Sequence, residues 1–196
     1  MNQDENPEPR TLKALVKKYK AIRIPRIQRD YAQGRKEEKR AFNEGTKDSP
    51  LNLDFIYGTR SEGHFYPVDG QQRLTTLFLL HWYLAARDGQ ADDFQSLFHW
   101  DKSDGPKTDN SKKTGSRFSY AVRPTSEAFF DKLTASLPPL ETIQATGFTP
   151  SSWIGDQSWF FSTWLRDPTI QSVLVALDAI HEKFGTLKGG YARLTD

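Results

Sequence analysis

The chain has 196 residues, with 27 Lys and Arg against 25 Asp and Glu for a net charge of +2; it is long enough to bury a sizeable core, and its charge does not by itself argue for nucleic acid. It contains no cysteine, which excludes disulfides, thiolate metal sites and thiol catalysis together. No apolar run reaches the length of a membrane span and the N-terminal residues are polar, so a soluble, cytoplasmic protein without membrane contact is expected.

Residues 1–10 are polar with two prolines and read as a disordered tail. Thr11 is placed to cap a helix in which Leu12, Leu15, Val16 and Tyr19 share one face. The opposite face is basic: from Arg10 to Arg35 there are nine Lys or Arg residues and one acid, Asp30. That local excess suits DNA backbone, nucleotide phosphates or an acidic partner, and equally a solvated helix face beside a basic loop. Ala21–Ile24 reads as a strand, which Pro25 ends. Gln28, Arg29 and Tyr31 then fall in a loop where side chains can converge on a ligand. Arg29 is a phosphate candidate there, or else an ion-pair partner of Asp30 or Asp54. Lys36–Asn43 has helical composition, and Gly45–Pro50 breaks it.

Leu53–Thr59 and His64–Val68 are aromatic and alternating, and the short Arg60–Gly63 connection suits a hairpin. Pro67 places the second run near a sheet edge or a strand end. Gly70 permits a turn, and good helix formers follow. Apolar residues recur at Leu74, Leu77, Phe78, Leu84 and Ala85 together with His81, while Leu79, Leu80, Trp82 and Tyr83 fill most of the remainder. A helix apolar nearly all round is a buried one. Over Gln71–Arg87 it would span roughly 25 Å.

The start of that helix is the main candidate site. Its first turn leaves backbone N–H groups without intrahelical partners at the positive end of the macrodipole, a setting that favours anions. Arg73 adds a planar cation suited to phosphate, Gln71 and Gln72 add amide donors, and Thr75 and Thr76 add hydroxyls one turn on. Asp69 either caps the helix, with Gln72 completing a D-x-x-Q variant of the capping box, or holds a magnesium ion against a bound phosphate.

Asp101–Arg117 has no apolar side chain to bury and reads as a flexible loop. Phe118–Val122 suits a strand, with the basic Arg123 beside it. Thr125–Leu137 suits a helix closed by Pro138 and Pro139. Trp153–Trp164 holds three of the five tryptophans with Phe160 and Phe161, a density that serves base stacking or, more commonly, packing. Asp167 as cap and Pro168 at the first helical position open a last helix whose stripe is Ile170, Val173, Leu174, Leu177, Ile180 and Phe184. Gly185 ends it, and no further element is expected before Asp196. The histidines, His64, His81, His99 and His181, are scattered, and His81 and His181 lie on apolar faces, so no nuclease metal site is expected. The resulting fold class is α+β: a small mixed sheet, or an antiparallel one, with packed helices over residues 11–100, a loop over 101–117, and a mainly helical part over 118–196.

Two blocks, IPRIQRDY at Ile24–Tyr31 and VDGQQRLTTL at Val68–Leu77, resemble the signature of the N-terminal domain of GmrSD-type, modification-dependent restriction systems, an anti-phage family with a ParB/sulfiredoxin-like fold. LDFIYG at Leu53–Gly58 and DPTI at Asp167–Ile170 extend the likeness more loosely. The resemblance implies that DGQQR lies in a site that binds and hydrolyses a nucleoside triphosphate with magnesium, its base unspecified. Asp69 and Arg73 would be catalytic. Gly70, Gln71, Gln72, Arg73, Thr75 and Thr76 would bind the nucleotide, Gln28 and Arg29 would face it, and Asp69 would meet the magnesium through the phosphate. Family members usually continue into a helical region and often an HNH-type nuclease domain. The chain is therefore expected to be a separated N-terminal subunit or a truncated piece that works with a nuclease domain or subunit elsewhere. Three readings stay open: an NTP-hydrolysing domain of a phage-defence system, a DNA-binding or partner-binding module without catalysis of its own, and a helical scaffold with a vestigial site.

Overall fold

The computed structural model of the chain describes residues 11–32, 56–101, 114–186 and 189–195. Thr11 Oγ1 accepts from the Ala14 amide at 3.2 Å and opens helix α1 (Leu12–Lys18). Strand β1 (Ala21–Ile24) follows and stops at Pro25, which has no N–H to extend a ladder. Strands β2 (Gly58–Ser61) and β3 (His64–Pro67) form an antiparallel hairpin. Its turn is Glu62 and Gly63, at φ 51° and 82°, and a pair of positive φ values matches the twist of the flanking strands. The first hairpin strand thus runs on through Arg60 and Ser61, beyond the expected Leu53–Thr59. The expected helix at Lys36–Asn43 lies outside the described residues.

Strand β6 (Phe118–Tyr120) completes a four-stranded sheet in the order β2-β3-β1-β6, in which β1 runs parallel to both β3 and β6. The sheet is mixed, and β3 is an interior strand with Pro67 at its last position. Strands β4 (His99–Asp101) and β5 (Thr114–Ser116) pair as a second, two-stranded sheet. The loop expected over 101–117 is therefore strand at both ends. Thr-Gly-Ser carries no apolar signal, yet Gly115 pairs with Trp100, and a Cβ there would meet the indole at 2.5 Å. The glycine is the space in which the ring lies.

The remaining elements are helical: α2 (Gln71–Arg87), α3 (Ala91–Phe98), α4 (Pro124–Ala135), α5 (Leu140–Ile143), α6 (Pro150–Gly155), a 3₁₀ turn (Ser162–Arg166), α7 (Pro168–Phe184) and α8 (Gly190–Thr195). The last corrects the expectation that no element follows Gly185. Helix α8 is fixed by the Tyr191 amide, which donates to Asp88 Oδ2 at 2.9 Å.

Helix α2 is the axis of the core. Phe78 stacks on Phe118 of the sheet at 4.7 Å and meets Phe98 edge-on at 5.2 Å. Trp82 Nε1 donates to the Leu133 and Ser136 carbonyls at 2.9 and 3.0 Å. Tyr83 and His181 share a 2.9 Å hydrogen bond, and Arg87 Nη1 donates to the Phe184 carbonyl at 2.5 Å. One apolar cluster contains α1, the sheet, α2, α4 and α7 together, so α4 and α7 complete the same core rather than extend it. In the aromatic segment, Trp164 packs edge-on against Phe129 at 6.0 Å, and Trp153 lies tilted against Trp82 at 6.2 Å, which is packing.

Two consequences are measurable. Gly70 has φ 84°, and a Cβ there would come within 2.7 Å of Ile56. Gly70→Ala is expected to cost about 1–3 kcal/mol in urea unfolding; an unchanged midpoint contradicts this. Burial of His81 lowers its pKa to about 4, below the value of about 6.5 in an unfolded chain. Its contribution is therefore full above the unfolded value and is lost as pH falls towards 4, at roughly 1.4 kcal/mol per pH unit. His81→Phe should flatten the pH dependence of stability across that window, and an unaltered slope would show that other groups control it.

Candidate functional site

Because β1, β3 and β6 are parallel, the segments leaving their C-terminal ends gather at one edge of the sheet, where open α/β sheets hold ligands. These segments are the 25–32 loop after β1, the Val68–Gly70 turn leading into α2, and Ala121–Arg123 leading into α4.

The turn is built by backbone. The amides of Val68 and Asp69 both donate to the Tyr57 carbonyl, at 2.9 and 3.1 Å. Gly70, in the left-handed region, is the N-cap of α2, and no side chain caps the helix. This corrects the capping-box alternative. With the cap at Gly70, Asp69 stands one residue too early, and its Oδ2 instead accepts from Arg73 Nη2 at 3.0 Å. Gln72 does not return to the cap either.

The two glutamines turn to the 25–32 loop. Gln71 Nε2 donates to the Arg29 carbonyl at 3.0 Å, and Gln72 Nε2 donates to the Asp30 carbonyl at 2.9 Å. Gln72 Oε1 also accepts from the Ala32 amide at 3.0 Å. Gln28 reciprocates, its Nε2 donating to the Val68 carbonyl at 3.0 Å. Gln71 and Gln72 are only 4% and 8% exposed, so losing a bond strands a buried polar group at a cost of about 1–3 kcal/mol. Thr75 is buried and donates to the Gln71 carbonyl at 2.8 Å. Thr76 donates to the Gln72 carbonyl at 3.0 Å and shares a 3.0 Å contact with the Tyr31 hydroxyl.

A second set of ties fixes the same loop from the other side. The Asp30 carboxylate takes both Arg123 guanidinium nitrogens, the Nη2–Oδ2 bond being 3.1 Å, and accepts from Thr169 Oγ1 at 3.1 Å. The hydrogen bond that Arg123 donates to Asp30 holds the Arg123 pKa above its ordinary value. Asp167 caps α7 by accepting from the Thr169 amide at 2.9 Å, and its other oxygen accepts from Thr125 and from Ser126, the latter at 2.8 Å. Below the loop, burial raises the Tyr120 phenol pKa, against the opposing effect of the Thr75 hydroxyl beside it.

The structure thus brings both sequence blocks together and sorts the candidates. Gln28, Gln71, Gln72 and Thr76 brace the loop, and Arg123 pins Asp30. Arg29 is exposed, and Asp30, its suggested ion-pair partner, is engaged by Arg123 instead; Asp54 lies outside the described residues. Arg73 is partly exposed, with its side chain 25% accessible beside Asp69 at 56%. The first turn of α2, which no side chain caps, and the Arg73 guanidinium beside it are suited to an anion, and the Arg29 backbone is held against the same turn by Gln71. Asp69 is a single exposed carboxylate, which fits a magnesium ion carried by a ligand's phosphates rather than a protein cage. Among the described residues no group of three or more His, Asp or Glu is placed to hold a metal, and no helix is long and apolar enough to cross a membrane. The pairing of Asp30 with Arg123 and the role of Thr169 were not legible in sequence, since those residues are 93 and 139 positions from Asp30.

A family model described as GmrSD restriction endonuclease, N-terminal domain, matches residues 12–152. No curated protein and no solved structure matches the chain. The matched stretch includes both blocks and Arg123, while Asp167 and Thr169 lie beyond it.

Gln72→Leu preserves shape and removes both Gln72 bonds to the loop. The Ala32 amide should then exchange with solvent at least about tenfold faster, the equivalent of one hydrogen bond, while the amides of Trp82 and Tyr83 keep their protection. Unchanged exchange at Ala32 would show that the Asp30 ties alone hold the loop.

Proposed function

This chain belongs to the family of GmrSD restriction endonuclease N-terminal domains, and on that premise we propose that it is the nucleotide-binding, NTP-hydrolysing domain of a phage-defence restriction system. The observation that carries the reading is the convergence of the DGQQR turn and the 25–32 loop at the C-terminal edge of three parallel strands, beside an uncapped helix start. In this reading the nucleotide phosphates lie against the first-turn amides of α2 and the Arg73 guanidinium. Arg29 approaches from the loop, with Gln28 at its side.

The glutamines act one step back. Gln71 and Gln72 hold the loop backbone so that Arg29 stays on the phosphate side, and Thr75 and Thr76 bond the carbonyls of the same two residues. Asp69 orients Arg73 in the ligand-free state and, once phosphates engage the guanidinium, is released towards magnesium or a water. A bound magnesium ion would neutralise phosphate charge. Catalysis is then electrostatic positioning of the phosphates. Recognition and cleavage of modified DNA fall to a nuclease domain or subunit outside this chain.

A calorimetric titration with ATP, GTP, CTP and UTP in magnesium tests the reading. Wild type is expected to bind at least one of them saturably. Arg73→Ala should weaken that binding by about 100-fold, the loss of a charge-assisted phosphate contact, with an unchanged circular dichroism spectrum. Absence of binding to any of the four, or equal binding by the variant, would overturn it.

A further inference from the structure

A second cationic concavity lies away from Arg73. Helices α1, α3 and α8 border an open cleft of about 400 Å³ lined by Lys13, Lys17, Arg117, Ser96 and Tyr191, with Val16 and Leu97 as its apolar part and Asp93 as the one carboxylate among the described residues. Arg117 stands just before β6, whereas Arg123 follows it, so the cleft is at the opposite end of the parallel strands from the DGQQR turn. Lys13 and Lys17 are one turn apart on α1, about 6 Å along the axis.

The cleft is organised from the core outward. Arg117 is the single residue between β5 and β6; its amide donates to the Phe98 carbonyl at 2.6 Å and its Nη1 to the Lys20 carbonyl at 3.4 Å, which ties it to the end of α3 and to the connection between α1 and β1. Tyr191 is buried, and burial, followed by the charge of Asp93, pushes its phenol up to about 12; it stays a neutral hydroxyl at physiological pH. Among the described residues, three cations and one acid line the cleft. An ammonium pair beside a guanidinium matches phosphate oxygens, and the volume exceeds that of a single ion and falls in the range of ligand sites.

We infer that this cleft binds a phosphate group, supplied by a nucleic-acid backbone or by a free nucleotide. The inference goes beyond the function proposed above and does not rest on it. The charge is local to this surface, since the whole chain carries only +2.

Two probes distinguish the sources: a short fluorescein-labelled DNA duplex followed by anisotropy across salt, and AMP followed by calorimetry. Each is measured with wild type, with Lys13→Glu/Lys17→Glu, and with Lys132→Glu/Arg166→Glu, which makes the same change of charge outside the cleft. The cleft variant should bind the duplex at least about tenfold more weakly and flatten its salt slope by about 2, while the control stays within about twofold of wild type. Loss of AMP binding alone in the cleft variant would also support the site and assign it to a free nucleotide. Circular dichroism checks the fold, and if the double reversal unfolds the chain, Lys17→Gln on an exposed side chain should still weaken the responding probe by about threefold. The inference is overturned if wild type binds neither probe, if the cleft variants bind both as wild type does, or if the control loses as much as the cleft variant.

Discussion

The side-chain amides of Gln71 and Gln72 are the ties on which the candidate site depends. They sit in the first turn of the helix that forms the core, yet they serve a loop that follows a different strand. A 17-residue helix buried by Phe78, Trp82 and Tyr83 cannot shift without disrupting the core. The loop inherits that rigidity through three hydrogen bonds, one of them from the Ala32 amide to Gln72. Glutamine suits the task because its amide offers both donors and an acceptor at a reach that a backbone group lacks.

Charge is then arranged around this neutral brace. The Asp30 carboxylate accepts from Arg123 and Thr169. With that carboxylate engaged by Arg123, the charges at the start of α2 are those of Arg73 and its neighbouring acid Asp69. Asp167 links the arrangement to the rest of the core, since it caps α7 while accepting from Thr125 and Ser126 at the start of α4. The starts of α2, α4 and α7 are thereby connected through one short loop.

Much of the fold was legible because its signals are local. Thr11 before an apolar stripe, and Asp167-Pro168 before another, mark helix starts by short-range chemistry, and both caps form. The all-round apolar character of Gln71–Arg87 foretold a buried helix, and the α+β class followed from the strand runs around it, which left the sheet mixed or antiparallel; the parallel pairings of β1 make it mixed. The failures are tertiary. Asp69 resembled a cap because D-x-x-Q is a local pattern, but Gly70 took the cap position and the glutamine found loop backbone instead. Thr114–Ser116 had no strand composition and is a strand because Trp100 needs a glycine opposite it. The closing helix α8 is held by Asp88, far earlier in the chain. The blocks that carry the family likeness could be read from sequence; how they face one another is set by long-range hydrogen bonds.

The central claim is that the helix start and the 25–32 loop form one ligand site. An amide-resolved NMR titration of the whole chain with a nucleoside triphosphate and magnesium tests it most directly. The account predicts that saturable shifts appear together at the amides of Gly70, Gln71, Gln72 and Arg73 and at those of Gln28, Arg29 and Asp30. Shifts confined to one of the two segments, or centred elsewhere in the chain, would contradict it.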